Sequence, residues 1–187
     1  CAVTGFRAPT IDVALPLGIS FYTFQIMSYI IDVYRKKYPA GRNLIEVAAY
    51  ISMFPQLIAG PIVTFDEVQP RLRERKISPA NIENGLLLFV VGLVYKVMLA
   101  NQIAALWNDV MVSGVMGINT ATAWLGAWGY SMQIYFDFLG YSLMAIGMGY
   151  MLGFRFPKNF SNPYCAVSVT DFWRRWHITL GRWFREY

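Results

Sequence analysis

Four long apolar stretches dominate the hydrophobic pattern of the chain, and charged or polar segments separate them. They cover residues 11–33, 44–63, 82–106 and 120–152. A helix needs about 20 apolar residues to cross the hydrocarbon core of a bilayer. The first and third stretches have the length of one span each. The fourth has the length of a tilted helix or of a span with a broken end. The pattern therefore predicts an all-α, polytopic membrane protein.

The distribution of positive charge predicts the orientation of these stretches. Residues 34–43 and 64–81 are rich in lysine and arginine, as is the segment from Arg155 onward, whereas residues 107–119 contain neither. The positive-inside rule places the three basic segments in the cytoplasm and residues 107–119 outside. The first, third and fourth stretches then cross the membrane, and the C-terminal segment lies on the cytoplasmic side.

The second stretch, residues 44–63, has basic segments on both sides, so we expect that it does not cross. It also contains Pro55, Gly60 and Pro61, which interrupt a straight helix. We predict a re-entrant segment that enters from the cytoplasmic side and returns, with irregular backbone buried in protein or lining a cavity. The alternative is an ordinary kinked span with one loop that violates the charge rule.

Composition agrees with a membrane protein and narrows its chemistry. Apolar residues make up 56% of the chain and charged residues 14%, whereas a soluble domain carries about 25% charge. The net charge of +5 is spread over the loops, which reports membrane topology rather than a nucleic-acid partner. One histidine and two distant cysteines, Cys1 and Cys165, cannot supply a metal ligand set. We therefore expect no metal site.

The last twenty residues form a basic and aromatic segment that contains the only histidine, His177. Ser168 and Asp171 give a helix start of the S-x-x-D type. Aromatic and apolar residues then recur at three- and four-residue spacing: Trp173, Trp176, Leu180, Trp183 and Phe184. The spacing predicts one basic amphipathic helix from Phe172 onward, lying at the membrane interface.

His177 is the first candidate for chemistry, because imidazole exchanges a proton near neutral pH. In a continuous helix it lies four residues after Trp173 and three after Arg174, so we expect it to pack against one and to feel the charge of the other. It can serve as a general base or position a substrate. The alternative is a histidine satisfied by hydrogen bonds at an aromatic interface.

Asp137 is the second candidate. It lies in the fourth apolar stretch, where Tyr130, Gln133, Asp137 and Tyr141 fall on one helical face. An acid in a membrane segment costs several kcal/mol unless it is paired or hydrated. It is therefore either part of a functional site or a hydrogen-bond anchor between helices. Lys96 in the third stretch likewise needs a partner or a wet cavity, unless its long side chain reaches the interface.

Five segments, in order along nearly the whole chain, carry a family resemblance. They are PLGISFYTFQ (16–25), FPQLIAGP (54–61), YFDFLGYS (135–142), NFSNPY (159–164) and TDFWRRWH (170–177). Together they resemble the membrane-bound O-acyltransferases, and within them the bacterial alginate O-acetyltransferase branch. The D-alanyl transfer proteins of teichoic acid modification are near relatives of that branch.

The resemblance implies transfer of an acyl group, most simply acetyl, in a bacterial cytoplasmic membrane. The donor would be a cytoplasmic thioester, acetyl-CoA or an acyl carrier, with no bound cofactor. The acceptor would be a periplasmic or extracellular relay protein and an exported polysaccharide such as alginate. Residues 1–187 would form the central part of a single membrane domain, truncated at both ends, since the chain begins with Cys1 rather than methionine.

His177 falls on the first of two histidines that the family carries. The second, regarded as the central catalytic one, lies downstream of the matching motif, so we expect residues 1–187 alone to be inactive. The resemblance also suggests a supporting set of residues around the substrate. These are Asp137, Gln133, Tyr141, Asp171, Arg174, Arg175 and Trp176. Arg174 and Arg175 would attract the phosphates of the donor.

The chain departs from the family pattern at two positions of one motif. The family reads FSGYSD where this chain has FLGYSL, so Leu139 and Leu143 replace a small polar residue and an acid. Asp137 would then be the only acid of that motif. Three alternatives stay open: D-alanyl transfer to teichoic acid, a transporter with Asp137 lining an ion path and the re-entrant segment as its filter, and a scaffold that recruits a periplasmic partner.

Overall fold

The computed structural model describes residues 18–41, 43–56, 60–112 and 117–187, and these are helical with no strand. The first half contains α1 (Ile19–Tyr34), α2 (Leu44–Ile51), a 3-10 turn (Phe54–Gln56) and α3 (Phe65–Arg73). The middle contains α4 (Pro79–Val94), a π-helical segment (Tyr95–Ala100), α5 (Asn101–Val112) and α6 (Thr120–Met151). A 3-10 turn (Pro163–Cys165), α7 (Val169–Arg175) and α8 (Ile178–Glu186) follow. The all-α prediction is confirmed for this part of the chain.

Helix α4, the π-helical segment and α5 form one continuous rod from Pro79 to Val112. Among the described residues it is the one helix both long enough and apolar enough to cross a membrane. Its 34 residues correspond to about 51 Å at the usual helical rise. Ser78 caps the start by accepting a hydrogen bond from the Asn81 N–H, with Pro79 in the first turn, as the sequence predicts.

Helix α6 runs antiparallel to this rod, and glycines let the two backbones touch. Gly85 faces Gly147, and Gly92 faces Gly140, so that a Cβ on any of the four would lie 2.5–2.7 Å from a carbonyl oxygen of the other helix. The two glycines are seven residues apart on each helix, which keeps them on one face. Small residues of this kind mark close helix pairs in membranes. We call this contact the glycine seam.

The second apolar stretch does not form a continuous helix. Helix α2 has eight residues, about 12 Å, which is too short to cross a bilayer. After the Phe54–Gln56 turn, residues 60–64 are irregular and buried, and α3 begins at Phe65. A continuous straight helix therefore does not describe this segment, and buried irregular backbone agrees with the re-entrant prediction, with the kinked span as the open alternative. The depth of the segment in a membrane stays a prediction.

The main core lies where this irregular segment meets the end of α6. Its buried members come from α2, from the segment before α3, from α3, from α6 and from the loop that follows α6: Tyr50, Val63, Phe65, Val68, Ile146, Phe154 and Phe156. The Tyr50 hydroxyl donates to the Val63 carbonyl at 2.8 Å, which satisfies a backbone group that no regular helix would pair. The core thus fixes residues 60–64, against which α8 packs.

Candidate functional site

His177 lies at a sharp break between two short helices, and the prediction of one continuous amphipathic helix is wrong. Its backbone has φ 42° and ψ 56°, a left-handed conformation that costs a residue other than glycine about 1–3 kcal/mol. Helix α7 ends before it and α8 begins directly after it. The three- and four-residue spacing continues across this break, which is why the pattern did not reveal it. Ser168 caps α7 by accepting from the Asp171 N–H, as predicted.

Two backbone hydrogen bonds hold the break in place. The Ile178 N–H donates to the Asn159 carbonyl at 2.9 Å, and the Ser161 N–H donates to the Arg175 carbonyl at 3.0 Å. These bonds pair backbone groups that a continuous helix would have paired internally. The segment NFSNPY, which follows α6, therefore fixes the backbone on both sides of the histidine.

The imidazole of His177 is shielded by protein. Its ring meets the Phe138 ring of α6 edge-to-face, with the ring centroids 4.8 Å apart, and its Nδ1 lies 3.2 Å from Asn159 Oδ1. Because the helix breaks at His177, its side chain does not follow the continuous-helix spacing that predicted Trp173 and Arg174 as its neighbours. Burial lowers the pKa of His177 to about 4, because a low-dielectric environment disfavours the charged imidazolium. The side chain is therefore neutral at pH 7.

Asn159 connects His177 to the irregular segment at the end of the second stretch. Its Oδ1 also accepts from the Thr179 hydroxyl at 2.7 Å and from the Thr179 N–H at 3.3 Å. The Thr179 hydroxyl oxygen in turn accepts from the Ile62 N–H at 3.1 Å. Asn159 and Thr179 are almost fully buried. Asn159 lies in one of the five motifs, but it was not among the predicted site residues. A single buried polar side chain produces no periodic pattern that would identify it.

Trp176, a predicted supporting residue, is part of an aromatic cluster between α7 and α6. Its ring stacks on Phe172 with the centroids 5.6 Å apart and meets Phe160 edge-to-face at 5.1 Å. Tyr164 joins the cluster, and its hydroxyl donates to the Ser131 carbonyl at 2.9 Å. The cluster anchors α7 against α6 and encloses the histidine on the side of Phe138.

Asp171 and Arg175 engage each other. Arg175 Nε donates to the Asp171 carboxylate at 2.9 Å, and the Val167 N–H donates to the same carboxylate at 3.3 Å. The hydrogen bond from Arg175 holds the pKa of Asp171 below its ordinary value. The pair therefore links the first turn of α7, where Asp171 lies near the Ser168 cap, to its last residue, Arg175, and it stabilises this short helix.

Arg174 is exposed and lines an open cavity of about 380 Å³ between α7 and α8. The other lining residues come from both helices: Thr170, Trp173, Ile178, Gly181 and Arg185. The Arg185 Nε donates to the Gly181 carbonyl at 3.1 Å. Two guanidinium groups beside an indole form a basic, partly apolar hollow that suits a phosphorylated ligand with an uncharged arm.

Asp137 forms an ion pair with Lys96 across the glycine seam. Lys96 lies in the π-helical segment, and its Nζ also lies 4.9 Å from the centroid of the Tyr141 ring. The predicted need of Lys96 for a partner is therefore confirmed. Successive residues of a helix point about 100° apart, so Asp137 faces the rod while Phe138 faces His177. Gln133 lies one turn before Asp137 on the same face of α6.

Side-chain hydrogen bonds at three places fix α8 and the residue after it to α1 and α3. Arg182 donates to both carboxylate oxygens of Glu67 at 2.7 and 3.2 Å. The Trp183 indole donates to the Phe24 carbonyl at 3.2 Å, and the Tyr187 hydroxyl donates to the buried Asp32 carboxylate at 2.7 Å. Contacts with α1, α3 and α6 therefore fix the position of His177. In the described part of the chain, no three metal-ligating side chains come together.

Residues 39–187 match the model of the MBOAT, membrane-bound O-acyltransferase, family. The chain belongs to this family. The match includes the break at His177, Asn159 and the whole of α6. The family assignment confirms the resemblance drawn from the five motifs.

The chain is also similar to curated proteins of known name. It is 49% identical, over 94% of its length, to the probable alginate O-acetylase AlgI of Pseudomonas aeruginosa. It is 37% identical over 95% of its length to the peptidoglycan O-acetyltransferase of Helicobacter pylori, and 31% identical over 91% to the teichoic acid D-alanyltransferase of Bacillus subtilis. The chain spans 33%, 39% and 44% of these relatives, respectively.

Proposed function

We propose that the protein containing this chain is a membrane O-acyltransferase that moves an acetyl group from a cytoplasmic thioester toward an exported polysaccharide. The membership of the family supports the reaction class. The long apolar rod from Pro79 to Val112 and the basic segments support a multi-pass protein of a bacterial cytoplasmic membrane, with 82–106 as one span and residues 120–152 as a second span predicted from the sequence.

The observation that carries the proposal is a neutral, shielded imidazole held at a strained break by two backbone hydrogen bonds. Strained conformations persist where the surrounding structure over-determines them, and they cluster at functional sites. A neutral imidazole can accept the proton of an attacking hydroxyl. In that step the hydroxyl oxygen bonds to the thioester carbonyl carbon, the carbon–sulfur bond breaks, and the proton passes by way of His177 to the departing thiolate.

The hollow lined by Arg174 and Arg185 supports a donor that carries phosphate, either acetyl-CoA or an acyl carrier protein with a phosphorylated arm. It lies in the segment that the positive-inside rule predicts to be cytoplasmic, which is the side on which we propose that the donor binds. Asp137 supports the site indirectly, because its ion pair with Lys96 joins α6 to the rod. The same ion pair argues against the transporter alternative, in which Asp137 would line an ion path, because its carboxylate is already paired with Lys96.

The acceptor is proposed from the relatives. Those named as alginate O-acetylases are 46–49% identical to this chain, and the teichoic acid D-alanyltransferases are 27–31% identical. We therefore favour acetyl transfer to a polysaccharide of the alginate type, through a relay protein on the outer side, over D-alanyl transfer. With Leu139 and Leu143, the FLGYSL motif of α6 is more apolar than the FSGYSD pattern that the family resemblance implies.

The test is acetylation of the exported polymer in cells whose own gene is replaced by a variant. His177→Ala in the full-length protein should reduce polymer-bound acetate at least a hundredfold at unchanged protein level. Glu83→Gln, at an exposed position of α4, is the matched control and should leave acetylation unchanged. Normal acetylation with His177→Ala would make the histidine a structural residue and remove the basis of the proposed mechanism.

A further inference from the structure

Three polar groups converge on one oxygen atom, Oδ1 of Asn159, and two of them are donors. The Thr179 N–H and hydroxyl reach it at 3.3 and 2.7 Å, and His177 Nδ1 lies 3.2 Å away. A backbone N–H can only donate, so the atom that it meets must be the amide oxygen rather than the amide nitrogen. The backbone of Thr179 therefore fixes the orientation of the Asn159 side chain.

The Thr179 hydroxyl reinforces this orientation. Its oxygen accepts from the Ile62 N–H at 3.1 Å, so its one hydrogen is free to go to Asn159. With the amide reversed, the NH₂ group of Asn159 would face the Thr179 N–H, and two donors would oppose each other without an acceptor. Burial makes that arrangement costly, because neither donor could turn to water.

The fixed amide oxygen decides which nitrogen of His177 carries the proton. An oxygen that already faces His177 Nδ1 at hydrogen-bond distance demands a hydrogen on that nitrogen, and the other nitrogen of a neutral imidazole is then unprotonated. We propose that Asn159 and Thr179 are positioning residues that hold His177 with its hydrogen on Nδ1 and present the lone pair of Nε2 as the proton acceptor. This inference rests on the proposed role of His177 in acyl transfer.

The state of the Asn159 amide argues for positioning rather than for stability alone. Its Nδ2 is buried and has no acceptor within the described ranges, whereas buried polar groups that serve stability are paired as a rule. The oxygen end is occupied three times and the nitrogen end not at all. The network also reaches back to Ile62 in the irregular segment, so the tautomer of His177 depends on how that segment packs against α8.

The proposal is tested on the purified full-length protein, with acetyl-CoA as donor and a soluble oligosaccharide as acceptor. Thr179→Val removes the hydroxyl at nearly constant volume and should lower kcat about tenfold to a hundredfold, by analogy with partners that orient metal-bound histidines, while KM for the donor changes less than about threefold. Thr179→Ser keeps the hydroxyl and should retain activity within threefold. Loss in both variants, or in neither, would overturn the positioning role.

Asn159→Asp gives a readout that a merely structural residue would not move. A carboxylate beside Nδ1 stabilises the imidazolium and raises the pKa of His177. The acid limb of the kcat profile should therefore move to higher pH by at least one unit, because more of His177 is protonated and unable to accept a proton at a given pH. An unmoved limb in a variant that elutes and melts like the parent would contradict the proposal.

Nitrogen NMR of ¹⁵N-histidine-labelled full-length protein reads the tautomer directly, with the His177 signals assigned by their loss in His177→Gln. We expect a protonated Nδ1 and an unprotonated Nε2 in the parent, and a changed or mixed pattern in Asn159→Ala. A protonated Nε2 in the parent would overturn the inference even if His177 is essential. Full acyl transfer by His177→Gln would instead overturn the proposed function, whereas the tautomer measured by NMR would still describe the structure of the site.

Discussion

The glycine seam between α4 and α6 and the break at His177 are built in opposite ways. In the seam, two regular helices touch over glycines repeated every seven residues, and each backbone satisfies its own hydrogen bonds. At the break, regular structure stops, and the backbone is paired by the loop that contains Asn159 and Ser161. Rigidity at the site therefore comes from hydrogen bonds between distant segments, whereas the seam supplies the frame on which those segments rest.

The largest expected effect comes from filling the seam. A Cβ at Gly147 would lie 2.5 Å from the Gly85 carbonyl oxygen, so Gly147→Ala must push two helices apart, at a cost of about 3 kcal/mol. The matched control is Gly129→Ala on the same helix, where the nearest atoms to the Cβ are side-chain carbons at 3.6 and 3.7 Å.

Gly147→Ala should lower the melting temperature and the membrane level of the full-length protein. Gly129→Ala should leave both unchanged or raise them slightly, because alanine favours a helix over glycine by about 1 kcal/mol. Equal behaviour of the two variants would show that the helices are not in close contact at Gly147.

The ion pair across the seam should give the second largest effect. Asp137→Asn leaves the ammonium of Lys96 without its carboxylate, which should lower the free energy of unfolding by about 2 kcal/mol. The double variant Lys96→Met and Asp137→Leu removes both charges and should be more stable than either single change. Melting temperatures in detergent of the parent, Asp137→Asn, Lys96→Met and the double variant test this, and a double variant less stable than Asp137→Asn would contradict it.

Relief of the backbone strain at the break should have a smaller effect on stability, and this effect should be stabilising. His177→Gly and His177→Ala both remove the imidazole, but glycine adopts the φ of 42° without strain. We therefore expect His177→Gly to be more stable than His177→Ala by about 1 kcal/mol, measured by thermal unfolding of the full-length protein. Greater stability of the alanine variant would mean that residue 177 is not left-handed.

At pH 7 the protonation of His177 should have the smallest effect on stability, but this effect should grow in acid. Its pKa is about 4 in the folded protein, below the ordinary value of 6.5, so the unfolded chain binds the extra proton first. Stability should be unaffected above pH 6.5 and should fall as the pH drops from 6.5 toward 4. The melting temperature of the parent minus that of His177→Asn isolates this contribution and should decrease as the pH drops from 6.5 toward 4. A difference that stays constant or increases on acidification would contradict it.

The sequence predicts the regular half of the molecule well, because periodicity and caps are local. The apolar runs locate the long helices, Ser78 and Ser168 mark two helix starts, and Pro55, Gly60 and Pro61 mark the interrupted stretch. The spacing of glycines on α4 and α6 was a further signal that sequence reasoning did not use. It indicates that these two helices touch.

The site itself was only partly predictable. His177 was selected as the only histidine, but the apolar spacing hid the break because a left-handed residue leaves no trace in hydrophobic periodicity. The pairing of Lys96 with Asp137 and of Asn159 with His177 joins residues 41 and 18 positions apart. Such contacts depend on the packing of α6 against its neighbours, which a local pattern does not specify.

The most direct test of the account is a single-turnover assay of the full-length protein in proteoliposomes, comparing the parent with His177→Gln. Glutamine retains polarity and similar size but cannot accept a proton at pH 7. With an acetyl thioester on the cytoplasmic face, the account predicts a loss of acetyl transfer of at least a hundredfold at an unchanged melting temperature. Transfer within threefold of the parent would contradict it and would leave His177 as a structural residue of the break.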